Sequence, residues 1–390
     1  MNLKYFLRIV FGTTFLLTTY FNSGAQGVDP VTQTNGSTIN NIVTGVPFLL
    51  ITPDSRAAGM GEAGVAIEGD VNAASINPAK LAFLEKRYGF SVSYSPWLKN
   101  IVDDVSLTYL SGFYKLDDQS TVGASLRYFS LGKIQLIDAN QTDQGTYSPN
   151  EFAVDATYSR RFGETFSLGT SIRYVRSGLT SGQFNGQDTK AATALAADVS
   201  ALLKKPVYLI GKEALLSAGI NISNIGSKLS YSDDGTRYFL PTNLKIGAAS
   251  TFLLDKSNEL TFALDFNKLM VPTQPSYDVD GNIIAGKNPN RSVPAGIFGS
   301  FNDAPGGFKE EVKEVNVAFG MEYWYKKQIA FRTGYFYESP DKGDRRYFTL
   351  GAGFKYSNYN LDISYLIANQ QRSPLANTLR FTLLFNFDSK

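Results

Sequence analysis

From residue 88 to the C-terminus, apolar and polar residues alternate with a period of two. In the first run, Tyr88, Phe90, Val92 and Tyr94 are separated by Gly and Ser. Because successive side chains of a strand point to opposite faces, this alternation predicts β-strands with one apolar face. Further runs of this kind lie at 105–113, 122–128, 152–158, 166–174, 195–203, 216–222, 244–254, 260–266, 315–323, 329–335, 348–356, 361–365 and 379–387. The pattern therefore predicts about fourteen strands.

The links between these strands alternate in length. Short links lie at 116–120, 162–165, 254–258, 325–328 and 356–359. Long links lie between them, at 131–150, 177–191, 225–240, 269–312 and 366–377. Link 203–213 falls on the short side but is longer than the others there. Bacterial outer-membrane barrels have short periplasmic turns and longer external loops, so the alternation predicts an all-β, transmembrane antiparallel β-barrel with the short turns in the periplasm.

Parity assigns the two faces of each strand. The apolar phase, including that of run 105–113, is expected to face lipid. The other phase is expected to face the lumen, because Lys or Arg on the lipid face costs about 2–4 kcal/mol at mid-depth. The lumen-facing charges are Arg127, Arg173, Lys245, Arg332, Arg380, Asp155, Asp265, Glu322 and Asp362. Two interpretations remain: pairing with each other and with Arg56, Glu62 and Asp70 of a plug, or a polar permeation path or ligand channel.

Aromatic residues near strand ends are expected to mark the two membrane–water interfaces. Tyr and Trp are enriched there because the ring is apolar while its polar group reaches water. The residues assigned to these girdles are Trp97, Tyr109, Tyr158, Tyr174, Tyr325 and Tyr347.

The N-terminus has the features of a secretory signal peptide. Lys4 and Arg8 form a positive region, residues 9–17 are mostly apolar, and residues 23–25 are small. The apolar run is too short for a membrane helix, which needs about 20 residues. We predict cleavage after Ala25 and export, followed by a polar lead that ends in the apolar residues 47–51.

Between this lead and the first strand, residues 53–81 are rich in Gly and Ala and have no period of two. Small residues let two backbones approach closely, so this segment is expected to fold as a plug inside the barrel. The predicted organisation is a signal peptide at 1–25, an extension and plug at 26–87 and a barrel at 88–390. The plug residues singled out are Arg56, Gly59, Gly61, Gly64, Asn77 and Pro78.

The run SRAAGMGEAG at 55–64, followed by NPA at 77–79, resembles the N-terminal hatch of the FadL-type outer-membrane proteins. Within that group, the chain from about residue 47 onward resembles the PorV family of the type IX secretion system. FadL-type proteins pass hydrophobic molecules through a plugged barrel of fourteen strands, which is the alternative function. The PorV resemblance implies a non-enzymatic shuttle that binds the C-terminal signal domain of secreted cargo. It also implies collection of cargo at a Sov/SprA-like translocon and delivery to an attachment complex with a PorU-like sortase, in contact with outer-membrane lipid and lipopolysaccharide.

Composition excludes several kinds of chemistry. The chain of 390 residues contains no Cys and no His, which rules out a Ser-His-Asp triad, a thiol nucleophile and the usual zinc site. Residues 59–64 match G-x-G-x-x-G, but no βαβ pattern follows, and residues 278–289 lack the Gly and Glu of a calcium loop. The net charge of +2 does not favour nucleic acid. We therefore expect no enzyme activity and no cofactor.

The longest predicted link, 269–312, far exceeds the usual loop of about 4–6 residues. It carries apolar patches at 283–285 and 293–301, which water does not favour on a free surface. One interpretation is that the link folds back over the barrel mouth. The functional interpretation is docking to a partner, with Ile297, Phe298 and Phe301 as anchors.

Overall fold

A computed structural model describes residues 40–97, 104–137, 143–179, 182–184, 187–232, 237–278, 280–368 and 378–388. The predicted signal peptide and residues 26–39 lie outside the described residues. The boundary between extension, plug and barrel therefore stays a prediction at its N-terminal side.

Fourteen strands form one closed barrel in which each strand pairs antiparallel with its neighbours along the chain. The strands are β1 (Tyr88–Pro96), β2 (Val105–Lys115), β3 (Ser120–Leu131), β4 (Asn150–Phe162), β5 (Phe166–Gly178), β6 (Ala192–Leu209), β7 (Lys212–Gly226), β8 (Asn243–Leu253), β9 (Asn258–Leu269), β10 (Val315–Tyr325), β11 (Ile329–Tyr337), β12 (Arg346–Tyr356), β13 (Tyr359–Ala368) and β14 (Leu379–Phe387). β1 closes the barrel on β14, where Phe90 pairs with Phe385. The predicted fold class and strand number are confirmed.

The predicted link 203–213 is wrong. β6 continues to Leu209 and β7 starts at Lys212, so only Ile210 and Gly211 connect them, both with positive φ. Pro206 lies within β6, although proline cannot donate a ladder hydrogen bond. It is tolerated because β6 pairs with β5 only as far as Leu203, so beyond that point Pro206 has a partner on one side alone.

The lipid-facing assignment of β2 is also wrong. The residues buried on the inside are Val105, Leu107, Tyr109 and Phe113. Val105 and Leu107 join a cluster with Phe48, and Phe113 joins one with Leu81. Leu110 faces outward instead. Period two fixes the alternation but not which phase is inside, and here the apolar lead at 47–50 is packed against an apolar inner wall.

Three predicted girdle residues are corrected for the same reason. Tyr109 and Tyr347 are buried inside the barrel, where Tyr347 stacks on Phe336 with ring centroids 5.1 Å apart. Trp97 packs against the interior cluster, and the Arg380 guanidinium lies 5.5 Å from its ring. The remaining three aromatic residues are exposed on the outer face, namely Tyr158, Tyr174 and Tyr325.

The helical elements are short. The α-helices are α1 (Ser55–Gly59), α2 (Val293–Gly299) and α3 (Phe308–Lys313), and the 3-10 turns are Pro47–Leu50, Ala73–Ser75 and Pro78–Phe83. Small hairpins in the long links pair Ile134–Ile137 with Asp143–Tyr147, Gly182–Phe184 with Gln187–Thr189, and Ser276–Tyr277 with Ile283–Ala285. Across the described ranges, no helix is long and apolar enough to span a membrane.

The segment from α1 to the turn Pro78–Phe83 lies inside the barrel, where α1 packs against β11–β14 and the turn packs against β3–β6. Asp54 starts α1 by accepting a hydrogen bond from the Ala57 N–H at 2.9 Å. Asn77 caps the later turn by accepting from the Ala79 N–H at 3.1 Å. These local caps satisfy amides that the short helices leave unpaired.

Candidate functional site

Four of the predicted charges form a continuous buried network across the lumen. The Arg56 guanidinium of α1 donates to both Glu322 carboxylate oxygens of β10, at 2.8 and 2.9 Å. Arg332 of β11 donates to Glu322 at 2.6 Å and to Asp362 of β13 at 2.6 Å. Arg56 also reaches Asp70 within the plug at 3.2 Å. Plug and wall are thus joined by charge-assisted hydrogen bonds, which are stronger than neutral ones.

A second network lies within the wall. Arg173 of β5 donates to Asp155 of β4 at 2.5 Å and to Asp198 of β6 at 3.1 Å. It also donates to the side-chain oxygen of Asn224. The sequence reasoning did not single out Asp198. Its parity in run 195–203 places it in the inward phase, so the same rule that selected Asp155 could have found it.

Two more predicted wall charges bind backbone groups near the plug. Arg127 donates to the Leu49 carbonyl at 2.6 Å, and Arg380 donates to the Thr52 carbonyl at 2.9 Å. Lys245 is different: the structure shows it lining a small cavity of about 20 Å³ beside Arg127, with no hydrogen bond or ion pair found for it among the described residues.

Asp265 of β9 holds the middle of the plug. Its carboxylate accepts from the backbone N–H groups of Gly64 and Val65 at 2.6 and 2.9 Å. The Asn77 amide donates to the Val65 carbonyl at 2.9 Å. The sequence-predicted plug residues Gly64 and Asn77 therefore belong to one hydrogen-bonded unit.

Close contact between plug and wall is sharpest at Gly61. This residue has φ +65°, and a Cβ built on it would lie 2.5 Å from the backbone nitrogen of Tyr335. From the wall side, a Cβ on Gly334 would lie 2.1 Å from the Met60 carbonyl carbon. Gly59 approaches Gly351 less closely, with a built Cβ 3.2 Å from the Gly351 Cα, and a Cβ on Gly169 would lie 2.6 Å from the Pro78 carbonyl carbon. Glycine is required at Gly61 by both conformation and space.

The link between β9 and β10, residues 270–314, carries the predicted docking anchors. Phe298 of α2 is 78% exposed and Phe301 is 45% exposed. Ile297 is only 7% exposed, which contradicts its assignment as an anchor and makes it a core residue of the link itself. Phe301 also lies under Lys268, whose ammonium is 5.6 Å from its ring.

The link is fixed to the barrel by buried ion pairs that the sequence reasoning missed. Lys268 at the end of β9 bonds Glu311 at 3.0 Å and Glu314 at 2.5 Å. Lys342, between β11 and β12, bonds Glu310 at 2.6 Å and Glu314 at 3.0 Å. These partners are distant in sequence and have no shared periodicity, so no sequence signal identified them.

Glu311 is the centre of this attachment. Burial alone would raise its pKa, but the N–H groups of Ala304 and Asp303 and the Lys268 ammonium together lower the pKa below its ordinary value. The two N–H groups donate to one carboxylate oxygen at 2.9 and 2.7 Å. The link is therefore held down by an ionised carboxylate.

Residues 33–276 match the sequence model of a family described as type IX secretion system protein PorV, and this range is more than half of the chain. The chain belongs to the PorV family. Among curated protein sequences, none matches it. As a PorV-family barrel, the protein is an outer-membrane component associated with the type IX secretion machinery. Phe298 and Phe301 lie beyond the matched residues.

Solved structures similar to this PorV-family chain are FadL-like outer-membrane barrels. The toluene transporter TodX of P. putida is 14% identical with a TM-score of 0.51, over 86% of this chain and 98% of that one. A Pseudomonas aeruginosa FadL homologue is 11% identical with a TM-score of 0.46, over 90% and 100% of the two chains. The similarity to TodX shows a shared fold.

Proposed function

We propose that this PorV-family protein is a non-enzymatic shuttle that captures secreted cargo at the translocon and carries it to the cell-surface attachment complex. The observation that carries the proposal is the β9–β10 link. It is anchored to the barrel by buried ion pairs, yet it exposes 78% of the Phe298 side chain. An exposed aromatic residue on a firmly held segment has the form of a binding hot spot, since little ordering cost remains on association.

The proposed partners follow from the family. They are a Sov/SprA-like translocon, a PorU-like sortase and the C-terminal signal domains of cargo. Within the described residues, no cluster of acidic residues forms a metal site, and the family is non-enzymatic in kind. The proposal needs no catalytic residue.

The alternative is transport of hydrophobic small molecules, since TodX is described as a toluene transporter. Such transport needs an apolar path past the plug. Here the path meets the network of Arg56, Glu322, Arg332 and Asp362, in which both arginines are paired with carboxylates. Opening a route there would leave buried charges without partners, which is strongly unfavourable. The arrangement of the lumenal charges therefore favours a structural role in ion pairs over a role in a permeation path.

The test replaces Phe298 and Phe301 with Ser in the full-length protein in its native outer membrane. We expect a folded barrel, with reduced co-purification of translocon and cargo and reduced surface export. Barrel integrity is measured by heat-modifiability on a gel. The matched control is Tyr208→Ser, which removes an aromatic residue that is 72% exposed on the β6–β7 hairpin at the opposite end of the strands.

Reduced export in the docking variant with normal export in the Tyr208→Ser control supports the proposal. Normal export and normal co-purification from a correctly folded docking variant contradict it. In that case the β9–β10 link is a lid over the barrel mouth rather than a docking surface.

A further inference from the structure

In helix α3, two apolar side chains face outward and a carboxylate faces inward. Surface helices normally turn apolar residues toward the protein and charged residues toward water. In α3, Phe308 is 83% exposed and Val312, one turn later on the same face, is 54% exposed. Glu311 is only 7% exposed and points inward to Lys268. The helix therefore exposes two apolar residues on one face, beside the exposed Lys309, while the Glu311 carboxylate is paired inside.

That apolar face borders a groove on the outside of the barrel, with a volume of about 280 Å³. One side of the groove is formed by α3 and the segment before it, and the other side is the outer wall of β8 and β9. The residues that line it are Leu244, Ile246, Phe266, Asn267, Lys268, Phe301, Phe308, Glu311, Val312 and Val315. Polar groups are confined to Asn267, Lys268 and Glu311, so the groove is amphiphilic.

The groove continues the lipid-facing surface of the barrel. Ile246 of β8 and Phe266 of β9 pair across the two strands and belong to the outward phase, with both side chains exposed. In an outer-membrane barrel this phase contacts acyl chains. The groove is thus an extension of an apolar wall that lipid already covers, and it opens at the end where the long links emerge.

We propose that the groove between α3 and the wall of β8 and β9 holds an acyl chain of the lipid leaflet at the long-link end. Helix α3 lies on this leaflet as an interfacial helix, with Phe308 and Val312 among the chains. The bound chain fills the space beneath Phe301 and supports the β9–β10 link from the membrane side. Phe298 does not line the groove, so its surface stays free for another partner.

The test uses single-cysteine spin labels, which the absence of native Cys makes specific. Phe308→Cys and Val312→Cys are labelled separately in the full-length protein, reconstituted in nanodiscs of palmitoyl-oleoyl phosphatidylcholine. Collision with oxygen, which concentrates in acyl chains, is compared with collision with a water-soluble nickel chelate. Phe331→Cys, on the exposed outer face of β11, is the control for lipid contact, and Phe298→Cys is the control outside the groove.

We expect labels at both α3 positions to favour oxygen as the Phe331→Cys label does. A preference for the nickel chelate at both positions overturns the proposal, because the face is then in water. Strong immobilisation with little collision by either probe also overturns it, since the face is then covered by protein, either a second copy or another segment of this chain.

A second measurement tests the bound chain itself. Val312→Trp fills the groove with an indole, whereas Phe298→Trp places the same indole outside it. In native mass spectrometry of protein released from the same nanodiscs, we expect loss of the most strongly retained phosphatidylcholine from Val312→Trp only. Equal lipid retention in the two variants contradicts occupancy of the groove.

Discussion

In the lumen, charged side chains of the plug meet charged side chains of the wall, as Arg56 meets Glu322 at 2.8 Å. The β9–β10 link also buries its carboxylates on lysines, as Glu314 does on Lys342 at 3.0 Å. The two regions differ in the exposure of the residues that take no part in these ion pairs. The plug leaves small residues packed against the wall, whereas the link leaves Phe298 and Phe308 exposed. A region whose charged groups are paired and whose other residues are packed has a structural role. A region that keeps apolar side chains exposed has surface that a partner or a lipid can cover.

The largest expected effect comes from breaking the lumenal network. Glu322→Leu leaves Arg56 and Arg332 buried without their shared carboxylate, and breaking a buried pair in this way costs about 3–5 kcal/mol. We expect a large drop in the denaturant midpoint of the barrel, measured by gel mobility without boiling. The matched control removes the exposed pair of Lys86 and Asp388 by Lys86→Ala, for which about 0–1 kcal/mol is expected. Equal midpoints for the two variants would show that the lumenal network does not hold the plug.

Next in size is Gly61→Ala, which tests contact between plug and wall. Its Cβ would lie 2.5 Å from the Tyr335 backbone nitrogen, in a residue with φ +65°. Gly163→Ala is the matched control, because Gly163 has φ +70° but nothing within 4 Å of a built Cβ. The conformational cost, about 1–2 kcal/mol, is common to both. We expect a clearly lower melting temperature, or a new conductance in planar bilayers, for Gly61→Ala than for the control. Similar melting of the two variants and no conductance would argue against a packed plug at this position.

A smaller effect is expected from acid on the β9–β10 link. The folded-state pKa of Glu311 is lowered from an ordinary value of 4.5, so its contribution to stability is present above that value. The contribution is lost as the pH falls through the lowered folded pKa, when Lys268 loses one of its two carboxylate partners. Hydrogen exchange of the Asp303 and Ala304 amides, corrected for intrinsic rates, should therefore accelerate below about pH 4.5. In Glu311→Gln this acceleration should be absent, and an unchanged acid response in that variant would exclude Glu311 as its cause.

The last of these tests perturbs the protein least and reports only the orientation of the barrel in the membrane. Asp118→Cys and Lys327→Cys lie in short turns, and Asn282→Cys lies in the β9–β10 link. If the short turns are periplasmic, an impermeant maleimide should label Asn282→Cys on intact cells and label the other two only after the outer membrane is opened. Labelling of Lys327→Cys on intact cells would reverse the orientation of the barrel and place the docking surface in the periplasm.

Much of the lumen could be predicted because a strand has only two faces. The rule that placed Asp155, Glu322 and Asp362 inside is an energetic one, since charge on the lipid face is costly. The same rule says nothing about apolar residues, which are stable on either face. It therefore misplaced Leu107, which packs in a cluster with Phe48 of the apolar lead, and Tyr347, whose hydroxyl donates to Glu62 of the plug. Alternation alone does not contain that information.

The β9–β10 link was harder to predict because its stability depends on distant partners. Lys268 lies at the end of β9 and Lys342 lies in the link between β11 and β12, yet both bond Glu314. Because the carboxylates of α3 that bind these lysines face the barrel, Phe308 faces outward. Apolar patches in the sequence indicated an important segment, but they did not distinguish Ile297, which is buried, from Phe298, which is exposed.

The central claim is that Phe298 contacts another component of the type IX secretion machinery. It is tested most directly by placing a photo-crosslinking amino acid at position 298 in cells that export cargo. A control variant of the same protein carries the crosslinker at position 331, which is also exposed but lies on the lipid-facing wall. We expect a crosslink from position 298 to the translocon, the attachment complex or cargo, and no crosslink to any of these from position 331. Normal cargo export with no protein crosslinked at position 298 would contradict it.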